Sequence, residues 1–519
     1  MPRKPKAINT LSAGERAALF ETERRKRMEQ LSDESRFHEN DEAEDDSHDV
    51  GNAVAEIAVN QNARVEKPKP RPQSATVSVD FSIPLGEVKP MHGMCNGPVS
   101  YGADVSNLFA KIGVPFVRFD GTDTAMSGYA VDVSRIFRDP SADPSDAGNY
   151  DFSTTDRYVE AALHCGAKVI FRLGESVDPM FPDKKVDMFE DRNILARVCG
   201  NIVRHYNDHW ANGFALGIEY FELWQHSVDG REREEEFALY SWLANAVKLV
   251  DENVKVGGLC FDKGDVAARE FVRYCRKNHV PLDFLTVACF GCDPERDVQE
   301  IERLVAFSKN IGVDLEIIVG KCGYASSSAL EGEDLTRVLG GKGEKFSLMR
   351  KRLFESQAKL DGAAYVAAMM LRLQAVPNVS VACFYDAQPV VSPWCAVCDR
   401  FGEPNKPFYA FKAYGDLYRA KQSVFCESAQ TESFSHTGVY AAAAVSDREG
   451  YVMIASFDGV GVVDLRLDGI PSTMYSAEVY MLDGVKNLVC SDEVIPISGM
   501  KKRLLLNVSE YGVVLVKLY

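Results

Sequence analysis

The pattern of apolar and polar positions changes character along the chain. Over residues 1–72 no apolar period persists. Ser12 and Glu15 stand in capping-box spacing ahead of Leu19 and Phe20, which predicts one charged helix over 11–37. An acidic run, Asp41 to Asp49, and alternating prolines from Lys67 to Pro72 follow. Charge blocks and prolines cannot bury a core, so the segment is expected to be a disordered tail, with docking of a protein partner as its functional alternative. Ala75 to Ile83 then alternates strictly, as a strand with one wet face does.

From Met91 the pattern becomes strand, helix, strand. Apolar runs at Val114–Phe119, Lys168–Leu173, Gly217–Trp224, Val254–Leu259, Phe284–Phe290, Leu315–Val319 and Val379–Tyr385 read as buried strands. Between them lie helical periods at Asp156–Cys165, Asn193–Asn207, Glu234–Asp251, Val266–Asn278, Val298–Ile311 and Lys345–Leu373. With a first strand near Met91, about eight strand-helix units predict a closed parallel barrel. After Tyr414 the helices stop, and 424–519 holds short alternating strands with Gly, Asp and Ser turns, the pattern of a β-sandwich. The fold class is therefore α/β: a (β/α)8 TIM barrel over 73–420 with a C-terminal β-sandwich over 421–519, which the strand at 75–83 is placed to join.

Composition narrows the function. The net charge of -17 excludes nucleic acid as the main partner, because phosphate binding needs a basic face. No run reaches the roughly 20 apolar residues of a membrane span. No apolar stretch follows the basic opening residues, so they do not read as a secretory signal, and the 13 cysteines read as free thiols of a reducing cytoplasm. Cys395-Ala-Val-Cys398 is one CxxC pair without a second at matching spacing, so neither a metal nor a cofactor is expected.

In a parallel barrel, chemistry sits where strands end and loops begin. Several such ends share a likeness: Met91-His-Gly-Met-Cys-Asn-Gly-Pro98, Val117-Arg-Phe-Asp120, Tyr150-Asp-Phe152, Phe171-Arg-Leu-Gly174, Phe221-Glu-Leu-Trp224, Phe384-Tyr-Asp-Ala-Gln-Pro389 and Lys406-Pro-Phe-Tyr-Ala-Phe411. In order and spacing they resemble the family 39 glycoside hydrolases, β-xylosidase-like retaining barrels with an appended β-sandwich. The resemblance implies a carbohydrate ligand. It also implies an acid/base glutamate after the fourth strand and a nucleophile glutamate after the seventh. Here the first stretch reads Trp224-Gln225-His226-Ser227 and the second Gly320-Lys321-Cys322-Gly323-Tyr324, so His226 and Lys321 stand at those places.

Retaining hydrolysis needs two carboxyl groups about 5–5.5 Å apart. A lysine ammonium opposes the positive charge of an oxocarbenium-like transition state, and a histidine replaces only the acid/base. The family route is therefore expected to be lost or replaced. One outcome is a silent barrel that binds a glycan. Another is a rebuilt, inverting site in which Glu175 and Asp386 act as the acid and base, about 6.5–9.5 Å apart. A third is a scaffold that docks through residues 1–72. The catalytic candidates are thus His226, Lys321, Glu175 and Asp386, with Lys321 expected to pair with Glu175 or Asp386 if its role is structural. His92, Asp120, Trp224, Gln225, Phe290 and Tyr385 are the substrate-binding candidates, Asp262 a further strand-end carboxylate, and Trp394 a further aromatic wall. If His226 and Lys321 both face the cavity, their charge favours an anionic sugar.

Overall fold

The computed structural model describes residues 74–100, 102–120, 123–124, 128–176, 191–224, 233–390, 392–429, 438–459, 461–491 and 493–519. The 1–72 tail, Gln225 and His226, with the roles expected of them, lie outside the described residues.

Eight strands close into a parallel barrel: β1 (Gly93–Cys95), β2 (Phe116–Arg118), β3 (Lys168–Leu173), β4 (Tyr220–Leu223), β5 (Lys255–Asp262), β6 (Phe284–Gly291), β7 (Glu316–Tyr324) and β8 (Val379–Phe384). Each pairs with its neighbours in sequence, and β8 pairs with β1. Strands buried on both faces need apolar side chains on both, which is why these runs are nearly continuous rather than alternating. The helices between them cover the outer face. Val266–Asn278 shows how such a helix is specified. Ala267, Ala268, Phe271, Val272 and Cys275 make its buried stripe, and the Asp265 side chain caps its start by accepting from the Ala267 N–H. His279, in the left-handed region at φ 53°, ends it.

Two local expectations are revised. The single helical period over 345–373 is two helices, Glu344–Gln357 and Leu360–Gln374, because Lys359 is extended and acts as the second helix's N-cap. Strand β7 does not stop at Val319 but runs on to Tyr324, which puts Lys321 inside the strand rather than beyond it.

The C-terminal region is one hydrogen-bonded ten-stranded sheet rather than two separate ones. Ser74–Glu87 lies within it, antiparallel to Gln422–Ala429 and parallel to Val462–Asp468. Strands from across this sheet share one core, with Val77, Val79, Val452, Leu465, Leu504 and Val516 among its buried members. The opposite side of the central strands joins the barrel core through Ala444, Met453, Phe457 and Leu515. No helix among the described residues is long and apolar enough to cross a membrane.

Candidate active site

Inside the barrel, Phe116, Ile170, Tyr220, Phe284, Ile318 and Val381 form an apolar layer. Side chains on a strand repeat their direction every second residue. The next inward positions toward the strand ends are therefore Arg118, Arg172, Glu222, Thr286, Gly320 and Cys383, and here the layer becomes charged. Arg118 and Glu222 are both completely buried, with Nε to Oε2 at 2.5 Å and Nη2 to Oε1 at 2.8 Å. Thr286 donates its hydroxyl to Glu222 Oε1 at 2.8 Å. Gly320 leaves room for the guanidinium, since a Cβ there would meet Arg118 Nε at 3.0 Å.

Above this layer lies Asp120. Its Oδ2 is 3.0 Å from Arg118 Nη1 and 2.5 Å from Lys321 Nζ, and its Oδ1 is 3.5 Å from Arg172 Nη1. Asn96 fixes the Asp120 backbone from both sides, accepting from its N–H at 2.7 Å and donating to its carbonyl at 2.6 Å. Lys321 arrives here through a bulge. Val287 and Ala288 of β6 are consecutive, yet they face Val319 and Lys321 of β7, so Gly320 is an extra residue that resets the alternation. The Lys321 side chain is 15% exposed. Burial, and then the neighbouring Arg118 guanidinium, push its amine down to about 7, with Cys95 and Asp386 acting the other way. The contact with Asp120 also favours the ammonium form.

Asp386 follows β8. Burial pushes its carboxyl up to about 7, against hydrogen bonds from the Gln388 N–H, Ser392 and Asn96 and the attraction of Lys321. Beside it Tyr385 carries Lys321 Nζ 5.5 Å from its ring centre. Phe290 and Trp394 complete an aromatic wall with Tyr385, at centroid distances of 6.1 Å for Phe290–Tyr385 and 5.2 Å for Phe290–Trp394. Asp120, Lys321, Tyr385 and Asp386 are thus brought together, with Phe290 at their edge. Trp224 closes β4, buried at φ 58°, with its N–H on the Leu173 carbonyl.

Other sequence candidates are elsewhere or differently engaged. Lys321 pairs with Asp120, not with Glu175 as one expectation had it. Glu175 accepts from the Ser134 N–H at 2.7 Å and the Ser134 hydroxyl at 2.6 Å. It also acts on Cys199, a buried residue of the helix Arg192–Asn207. Its carboxyl is thus held by Ser134, within electrostatic reach of Asp132, Arg172 and Cys199. Burial and then Asp132 push it up to about 8, partly offset by Ser134. His92 is a correction: it precedes β1, at the opposite end of the barrel from the strand ends that carry Asp120 and Asp386. There its Nε2 lies 3.1 Å from the Gly113 carbonyl, and Tyr414 and Tyr418 flank its ring. Asp262 ends β5 with an exposed side chain. Among the described residues no three His, Cys, Asp or Glu side chains gather as a metal site.

Sequence reasoning missed Arg118, Arg172, Asp132 and Glu222. Arg172 Nη2 is 2.8 Å from Asp132 Oδ1, and Ser176 donates to the same carboxylate. The signal was present: a charged residue within an apolar parallel strand has no solvent on either face, so it must meet a partner inside. The three cations Arg118, Arg172 and Lys321 face Glu222, Asp132 and Asp120 at 2.5, 2.8 and 2.5 Å, so each meets a carboxylate, with Asp386 a further carboxyl beside Lys321.

The family model for glycosyl hydrolases family 39 matches residues 125–303. A β-xylosidase of Caldicellulosiruptor saccharolyticus is 27% identical over 144 residues, covering 26% of this chain and 27% of that protein. A β-xylosidase of Geobacillus stearothermophilus is 25% identical over 204 residues, covering 34% of this chain and 36% of that protein. The matched stretches thus span only 27% and 36% of these relatives' own lengths. Solved structures extend the likeness in fold. A glucosidase of Croceicoccus marinus superposes with a TM-score of 0.69 at 20% identity, over 86% of this chain and 99% of that one. The GH39 enzyme of Xanthomonas axonopodis pv. citri gives 0.61 at 14% identity, over 86% of this chain and 97% of that one.

Proposed function

We propose that this chain, whose residues 125–303 match the model for glycosyl hydrolases family 39, is a carbohydrate-binding barrel in which the two-carboxylate double displacement has been lost. The observation that carries this reading is the ion pair between Lys321 and Asp120 at 2.5 Å. At the place where the resemblance sets a nucleophilic carboxylate, β7 presents a cation, and that cation already holds the nearest carboxylate. Asp120 is further tied to Arg118 at 3.0 Å, so it is a poor nucleophile toward an anomeric carbon. With Arg118, Arg172 and Lys321 each matched by a carboxylate, the described site has no surplus positive charge to select an acid sugar. A neutral sugar fits better than a uronate or a sugar phosphate. The relatives named as β-xylosidases and a glucosidase direct the choice of ligands to xylosides and glucosides.

Two measurements test this. Calorimetric titration with xylose, glucose, methyl β-xyloside and glucuronate is expected to show saturable binding of the neutral sugars. Incubation with a 2-fluoro aryl xyloside is expected to leave the protein mass unchanged. A trapped glycosyl ester on any carboxylate would overturn the reading, as would the absence of binding to every sugar.

A second reading is favoured by Asp386, whose buried carboxyl stands at about 7 and suits a general acid. It would make the barrel a hydrolase with a rebuilt site. Turnover of aryl glycosides that disappears in Asp386→Asn would select it.

A further inference from the structure

Lys321 combines three features that a structural ion pair does not require. It is set by a bulge toward the barrel mouth, with its side chain 15% exposed. It lies 5.5 Å from the Tyr385 ring centre, a face against which the C–H edge of a sugar can rest. It is flanked by groups that can take and give protons: Asp120 at 2.5 Å, and Asp386, close enough to act on its charge.

We propose that Lys321 forms a reversible imine with the open-chain aldehyde of a reducing sugar bound in the barrel mouth. This rests on the reading that the barrel binds carbohydrate. The step balances without an oxidant or a reductant. The ammonium gives one proton to Asp120, and the Nζ lone pair attacks the aldehyde carbon, forming a C–N bond. The proton that the attacking nitrogen sheds passes to the alkoxide oxygen, giving a neutral carbinolamine. Asp386 then supplies the proton with which that hydroxyl leaves as water, and the C=N bond forms as the nitrogen returns its remaining proton to Asp386. Amine and aldehyde become imine and water.

Among the described residues, the groups facing the amine include Arg118 from β2, Asp120 beyond it, Cys95 from β1, and Tyr385 and Asp386 beyond β8. Arg118 and burial favour the free amine that must attack, as a neighbouring cation and desolvation do for nucleophilic lysines in general. The same lysine that removes the family's nucleophile thus provides a different one, suited to an aldehyde rather than an acetal.

The test uses the full chain with D-xylose and sodium cyanoborohydride at neutral pH, followed by intact mass and peptide mapping. The expected result is one added reduced pentose, on Lys321, formed roughly tenfold or more faster than on an exposed lysine such as Lys501. The rate should saturate with xylose. Methyl β-xyloside, which cannot open to an aldehyde, should suppress the labelling by occupying the site. Lys321→Arg and Lys321→Gln should abolish the adduct. Labelling that follows lysine exposure, or that survives in both variants, overturns the proposal. If calorimetry shows xylose binding but Lys321 stays unlabelled, the imine fails and carbohydrate binding stands. If neither binding nor labelling occurs, both fail.

Discussion

Arg118 and Glu222 face each other across the barrel interior, Nε to Oε2 at 2.5 Å, with neither side chain exposed to solvent. The pair is bidentate, and Thr286 occupies a further acceptor position on Glu222. A pair so buried gains from its mutual attraction only what is left after desolvating both ions, but removing one partner strands the other. Glu222→Ala is therefore expected to destabilise the protein by roughly 3–5 kcal/mol. The double change Arg118→Met with Glu222→Leu should cost far less than the sum of the single ones, because no charge is left unpaired. Urea denaturation of the five proteins (the unchanged chain, Glu222→Ala, the two single changes and the double change) measures both, and equal costs for the double change and that sum would refute the coupling.

Glu175 makes stability fall toward alkaline pH. Its carboxyl stands at about 8 in the folded chain against 4.5 ordinarily. Between those values the folded chain keeps a proton that the unfolded chain releases, so stability is full below about 4.5 and is lost as pH rises through about 8. Glu175→Gln keeps the shape and removes the ionisation. The melting temperature of the variant, measured relative to the unchanged protein, should therefore rise across that window. A constant difference between the two would show that Glu175 is already ionised at the lower pH.

His92 acts in the opposite direction. The Gly113 carbonyl can only accept, so Nε2 carries the ring proton. Nδ1 has no hydrogen-bond partner. Burial, with a smaller push from Arg419, lowers the imidazole to about 3 from 6.5. Between these values the unfolded chain binds a proton that the folded chain refuses. Stability from this residue is present above 6.5 and lost as pH falls toward about 3. His92→Phe should flatten the acid side of the melting curve against pH, at the cost of one hydrogen bond near neutrality. An unchanged acid slope would assign the loss to other groups.

The barrel was legible because its strands are continuous apolar runs and its helices carry clean stripes, as in Val266–Asn278. Asp120, Asp386, Lys321 and Tyr385 were legible as strand-end residues. Two kinds of information were not. The bulge at Gly320 changes which way β7 side chains point, and nothing in a strand's hydrophobic pattern marks an inserted residue when both faces are buried. The second is pairing across the barrel. Arg118, Glu222 and Thr286 lie on β2, β4 and β6, and Lys321 reaches Asp120 from β7, so each partner comes from a strand far away in sequence. His92 was misplaced for a related reason: it stands before its strand, not after it, and a short strand such as Gly93–Cys95 gives little sign of where it begins.

The C-terminal sheet is expected to be inseparable from the barrel. Phe457 packs between the two, with its ring centre 6.0 Å from Tyr324, 5.8 Å from Tyr365 and 5.4 Å from Tyr511. Ala444, Met453 and Leu515 belong to the same core as the barrel helices. A chain ending after Ala420 would expose that apolar face, and it would leave Ser74–Glu87 without both of its strand partners. Such a truncation should be recovered as aggregate. Phe457→Ala tests the same contact within the whole chain. Loss of a buried aromatic side chain should cost roughly 3–5 kcal/mol. If the sheet can detach as a unit, the variant should unfold in two transitions where the unchanged protein shows one. A soluble, cooperatively melting barrel ending at Ala420 would show instead that the sheet is dispensable.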